Sequence, residues 1–235
     1  MRALLSISDA LSALVDFVGR VAAWLFVPMA LVILYDVLQR KLLNVYPEFQ
    51  QTLLYDFLPS TKAQELEWHL HGFLFMLCLG FTYVRNGHVR VEVLREKFRP
   101  RTRAYIECLG CLIFVLPYTL LVVELSASLL FWKSFLINEG SSATTGLPMR
   151  WIIKSSLMIG FGFLALAAVS ILLRNIVFLF GPPDLAARAD RYVRDEQDMD
   201  LEAVKEEAEE ELARDAKEHP EHGFLKGQRP NGGRG

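Results

Sequence analysis

Cysteine is scarce and badly placed for metal. The chain has 235 residues and 3 cysteines, and Cys78, Cys108 and Cys111 all lie in apolar stretches. Cys108 and Cys111 form a single C-x-x-C. A zinc site needs a second ligand pair, and a thioredoxin-like motif needs a βαβ setting. Neither is present, so these residues read as small hydrophobes that pack helices. Histidine is also short, at 5 residues. Only His69 and His71 fall inside an apolar segment, and both sit on the same one. A haem held between helices takes ligands from two of them, and the spacing does not match a di-iron Glu-x-x-His set. No metal site and no cofactor is expected. An excess of either charge is missing too: the formal net charge is -2, so nothing argues for nucleic acid. There is no nucleophile–base–orienter set, no phosphate-cradling glycine loop and no internal repeat, so an enzyme is not expected.

What is present is apolar length. Hydrophobic residues make up 52% of the chain and mean hydropathy is +0.27, yet charges are plentiful. The two are segregated. Roughly 20 helical residues cross a bilayer's hydrocarbon of about 30 Å, and segments of about 17–38, 68–84, 104–132 and 151–173 are long enough to do so. The expected fold is therefore an all-α integral membrane protein with four transmembrane helices and a membrane domain over 1–183. Asp9 and Asp16 interrupt the first apolar stretch and no small-x-small site follows, so this stretch reads as a retained anchor rather than a cleaved signal. Between the first two spans, Asn44 to Lys62 is too short and polar to cross. With Pro47 at its start and Pro59 at its end, it predicts a short interfacial helix. From Asp184 a charged tail follows, with a helix-prone stretch from Leu201 to Lys217 and a glycine-rich close.

Arginine and lysine set the orientation. Arg85, Arg90, Arg95, Lys97, Arg99, Arg101 and Arg103 crowd the connection between the second and third spans. The other connections hold only Arg40, Lys41 and Lys62, or Lys133 and Arg150. The positive-inside rule puts the second connection, both termini and the tail in the cytoplasm.

Two polar features stand out. Gln64 to His71 (QELEWHLH) crowds the outer end of the second span, where Glu65 and His69, and Glu67 and His71, are spaced i,i+4. It predicts a polar cap with Trp68 as aromatic anchor. Glu124 lies about nine residues inside the third span, or roughly 13 Å deep at about 1.5 Å per residue. A charge there facing lipid is expensive, so it should make a polar contact, with Lys154 as one candidate. The few midplane polar groups and the lack of paired broken helices argue against a complete solute path. A partner is the natural inference.

These residues also carry a resemblance. Gln64-Glu65-Leu66-Glu67-Trp68-His69-Leu70, Gly80 and Asn86-Gly87-His88-Val89-Arg90-Val91-Glu92-Val93 resemble the small permease subunit of tripartite ATP-independent periplasmic (TRAP) transporters. Glu139-Gly140-Ser141, Gly146-Leu147-Pro148, Arg150-Trp151 and Lys154 resemble a branch of the same family. The family often has Asp where this chain has Glu92. The resemblance spans roughly Val15 to Leu173. It implies a four-span subunit of the bacterial inner membrane beside a large permease, which carries a solute such as an organic acid inward on an ion gradient. A periplasmic binding protein delivers the solute. The substrate and ion sites would belong to the large subunit. Interface candidates are Glu67, Trp68, His69, Glu139 and Lys154 outside, Arg85, His88 and Arg90 inside, and Glu124 within the membrane. The alternative is a haem-binding membrane anchor of a redox complex, which would use His69 and His71.

Overall fold

A computed structural model of the chain describes residues 1–85, 87 and 98–193. All regular structure among these residues is helical. The chain divides into two units, Met1–Asp190 and Arg191–Gly235, and the packing below is that of the first. The helices are α1 (Arg2–Ala23), α2 (Phe26–Val45), α3 (Leu53–Phe57), α4 (Ser60–Val84), α5 (Pro100–Leu136), α6 (Trp151–Phe180) and α7 (Pro183–Val193). Three helical stretches are long and apolar enough to cross a membrane: Arg2–Val45, Pro100–Leu136 and Trp151–Phe180. Helix α4, more polar in its first turns, packs among them.

The first stretch starts at Arg2, well before the span expected from hydropathy, and it breaks at Trp24 and Leu25. There the backbone tightens: the Trp24 amide donates to Val21 (3.1 Å) and the Leu25 amide to Ala22 (2.9 Å). Pro28 has no N–H to offer the Trp24 carbonyl, so the Val27 amide takes it at 3.1 Å. Upstream of the break, Leu5, Ser8, Ser12, Val15, Gly19 and Ala22 are buried. They recur at alternating steps of three and four, which puts them on one face of the helix. Most are small, so α1 approaches α4 and α6 closely, as helices in lipid do. The hydroxyls of Ser8, Ser12 and Ser170 knit α1 to α6: Ser8 Oγ and Ser170 Oγ each donate to the other's carbonyl at 2.9 Å, and Ser12 Oγ meets Ser170 Oγ at 2.6 Å.

Helices α4 and α6 run parallel and form the centre. Their contact depends on two glycines. A Cβ on Gly160 would lie 2.6 Å from the Met76 carbonyl oxygen, and one on Gly80 would lie 2.8 Å from that of Phe163. Helices α1, α2 and α5 run opposite to them.

Helix α5 is not a plain α-helix. Cys111–Val115 and Ser126–Phe131 are π-helical turns. Its buried residues are Ala104, Cys111, Thr119, Ser126 and Ser134. The steps alternate between seven and eight, and the steps of eight each contain a π-turn. The extra residue in each such turn returns the small seam to face α6.

Pro47–Gln51 forms a 3-10 turn ahead of α3, and Pro59 precedes α4, where two prolines had marked a short helix. Helix α6 runs on past the apolar span to Phe180, as the apolar stretch after Arg174 predicts, and stops at Gly181, which is extended ahead of Pro182 and Pro183. Pro183 then begins α7, at the helix position that needs no N–H. Leu185 and Ala189 of α7 pack on Leu5 and Val177, so the start of the charged tail is a helix docked on α1 and α6. The stretch 201–217 lies outside the described residues.

Candidate functional site

The polar groups gather at the two ends of the helices. One end carries the last turns of α2, the start of α4, the end of α5, the loop 137–150 and the start of α6. At its centre is Glu65. Its Oε1 accepts from the Ser141 hydroxyl, and its Oε2 accepts from the Leu147 amide at 2.5 Å. One carboxylate on α4 thus holds two points of the loop that joins α5 to α6.

The loop's own backbone makes this possible. Asn138 adopts φ 45°, a left-handed residue that ends α5, and the Glu139 amide reaches back to the Ser134 carbonyl at 2.9 Å. The Arg150 amide donates to the Glu139 carbonyl at 2.7 Å and the Ser141 amide to the Leu147 carbonyl at 3.2 Å, so the loop closes on itself. Gly146 has no room for a Cβ, which would strike Ser141 and lie 2.7 Å from Glu65 Oε1. Met149 sits at φ 60°, an uncommon conformation for a non-glycine residue. At the base of the loop, Lys154 pairs with Glu139.

Both carboxylates are held acidic. Burial alone would raise Glu65, but the bonds from Ser141 and Leu147 outweigh it, aided by His69 and Arg150, and keep the group below the usual glutamate range. Glu139 is lowered chiefly by the hydrogen bond from the Lys154 ammonium.

Beside this loop, Asp36 of α2 is fully buried. It pairs with Arg40, as the i,i+4 spacing predicts, and accepts from the Ser60 hydroxyl at 2.6 Å. Tyr35 and Gln39 donate to the Leu58 carbonyl at 3.1 and 3.3 Å. The carboxylate therefore sits at the N-terminus of α4, which has no side-chain cap of its own.

The expected site residues separate into groups. Glu139 and Lys154 meet. Trp68 is exposed, with its ring 4.1 Å from that of His69. His69 Nδ1 lies 2.5 Å from the Glu65 carbonyl oxygen, while the Glu65 carboxylate, expected to pair with His69, faces the loop instead. Glu67 is half-buried on α4. His71 stacks on Phe75 at 6.5 Å. Arg85 lies at the opposite end, donating to Asp16 Oδ1 at 2.7 Å and resting over the Phe81 ring at 4.8 Å. Glu124 is exposed on the outward side of α5, and Lys154, its candidate partner, is taken by Glu139. His88 and Arg90 lie outside the described residues. Sequence reasoning missed Glu65, Ser141 and the Leu147 amide as one unit. The signals were Glu65 in the polar run and the Ser141 and Gly146 of the loop, but nothing local joined them. Among the described residues, no three His, Cys, Asp or Glu side chains are grouped to hold a metal ion.

The arrangement holds helices and a loop in place. Its carboxylates are spent on hydroxyls, amides and cations rather than poised against a reacting group. A family model described as "Tripartite ATP-independent periplasmic transporters, DctQ component" matches residues 29–178, from α2 to the end of α6. Neither the curated proteins nor the solved structures include a match. A match over most of the chain, on the helices that the seams and the latched loop hold together, settles the family: the chain belongs to the DctQ components of tripartite ATP-independent periplasmic transporters.

Proposed function

We propose that the chain is the four-span scaffold subunit of a TRAP transporter, seated beside a large permease that moves an organic acid or similar solute on an ion gradient. The observation that carries this reading is where the polar side chains go. Asp36, Ser8, Ser12 and Ser170 are buried and spent on joining helices of this chain. Glu65 is spent on the outer loop. A subunit built this way braces; the solute and ion sites belong to its partner.

In this reading α4, from about Trp68 to Val84, is the second of the four spans in chain order, shielded by its neighbours despite its polar start. Both termini are cytoplasmic, in the bacterial inner membrane. The 44 residues of Arg2–Val45 would extend about 66 Å as helix at about 1.5 Å per residue, twice the hydrocarbon thickness of about 30 Å. The start of α1, the end of α6 and α7 therefore project together on the cytoplasmic side. The loop 137–150, tied down by Glu65, faces the periplasm and presents a fixed surface to the solute-binding protein.

Mild-detergent purification of the tagged chain from its native membrane, followed by mass spectrometry, tests this. A much larger hydrophobic permease should co-purify. A coloured preparation, or flavin and iron–sulfur subunits in its place, would overturn the reading.

A further inference from the structure

Acidic and basic side chains deep inside the apolar stretches are few, and the structure treats them unequally. Between Val21 and Gln39 the only one is Asp36, fully buried against Arg40 and Ser60. Between Ser155 and Asn175 it is Arg174, buried and 3.3 Å from Asp9. Between Cys108 and Trp132 of α5 it is Glu124, and Glu124 is exposed. It lies about 18 Å from the Leu136 end and about 36 Å from the Pro100 end at about 1.5 Å per residue. Its neighbours on the surface are Leu120, Leu121 and Leu125, all exposed.

The seam explains the direction. Thr119 and Ser126 face α6 and are buried. Glu124 lies two residues before Ser126, about 200° around the helix at about 3.6 residues per turn, so it points away from the rest of the chain. None of the described residues forms an ion pair with it. The nearby Ser128 hydroxyl is spent on the Glu124 carbonyl oxygen at 2.8 Å. The π-turn starting at Ser126 holds this register, so the carboxylate cannot turn inward without moving the seam.

A charge on a lipid-facing surface is strongly disfavoured. Asp36 and Arg174 show how the chain meets that cost, by opposite charge or hydrogen bond. We infer that Glu124 and the exposed leucines around it form the docking surface for one membrane helix of the large permease, and that this helix presents an arginine or lysine to the carboxylate. The inference rests on the scaffold reading above and names the surface and the chemistry of its partner.

The test compares the tagged wild-type chain with Glu124→Leu and Glu124→Asp in the native membrane, measuring the permease recovered per chain by quantitative mass spectrometry. Glu124→Leu makes α5 more apolar, so the chain itself should insert at the wild-type level. Its permease yield should fall at least tenfold, and Glu124→Asp should retain most of it. Equal permease recovery from wild type and Glu124→Leu would overturn the docking surface while leaving the scaffold reading intact. So would loss of a second copy of this chain with the permease retained. A wild-type chain that recovers no permease at all would overturn the scaffold reading, and this inference with it.

Discussion

Removing the Glu65 carboxylate should release the loop 137–150 without unfolding the helices beneath it. Glu65 makes two charge-assisted hydrogen bonds to that loop, with the Ser141 hydroxyl and the Leu147 amide. Bonds to a charged partner contribute about 1.5–3 kcal/mol each. Glu65 is half-buried, so water competes and the lower end applies; the pair is worth about 2–3 kcal/mol. The remaining ties are the Lys154–Glu139 pair and backbone bonds at the base, chiefly the Arg150 amide to the Glu139 carbonyl at 2.7 Å. At about 1.4 kcal/mol per factor of ten, Glu65→Ala should raise the opening constant of the loop about 30- to 140-fold. Hydrogen–deuterium exchange of peptides spanning 138–150, in nanodiscs at neutral pH, reads that opening directly. Peptides from α6 should keep their protection, and Glu67→Ala should leave the loop as it is. Wild-type exchange of the loop in Glu65→Ala would refute the reasoning, because the loop would then be held by its own backbone and the Lys154–Glu139 pair.

Two further outcomes follow from the same structure. Gly160→Val should destabilise the chain by about 1–3 kcal/mol or more, read as a lower Tm in detergent, because its Cβ would meet the Met76 backbone; Gly162→Ala, where a Cβ meets nothing within 4 Å, should leave Tm unchanged. The lowered carboxyls of Glu65 and Glu139 set the pH response: a group whose folded value is depressed adds stability that is complete above its unfolded value and lost as pH falls through the folded one. A nitroxide at Thr144→Cys should therefore stay immobile down through the ordinary glutamate range and loosen only below it, and loosening already near neutral pH would contradict the assignment.

Apolar length showed where the long helices lie, because hydropathy sums over many residues and tolerates local detail. The same averaging hid the break at Trp24. Pro28 was visible, but a proline in the first turn of a helix and a proline that breaks one look alike until the start of the helix is known. Asp9 and Asp16 were legible as interruptions of an apolar stretch. They are partners instead: Asp9 for Arg174 and Asp16 for Arg20 and Arg85. Helical spacing gave Asp36 with Arg40 correctly, since both residues lie on one helix. It failed for Glu65, whose carboxylate left its i+4 neighbour for a loop 76 residues away in sequence. The depth of Glu124 in its span also misdirected Lys154, which pairs with Glu139 instead. Contacts within a helix follow from spacing, whereas contacts across helices need the register between them, and one sequence does not carry it.

The π-turns of α5 bear on how members of this family diverge. Each holds one residue more than the α-helical seam requires, at Cys111–Val115 and Ser126–Phe131. Deleting one residue inside either turn restores regular helix and leaves the stripe facing α6, whereas a deletion between them, in Leu116–Leu125, swings half the helix by about 100°. Single-residue gaps among relatives should therefore collect at these two turns and be missing from the segment that separates them, and Glu124 lies within that protected segment.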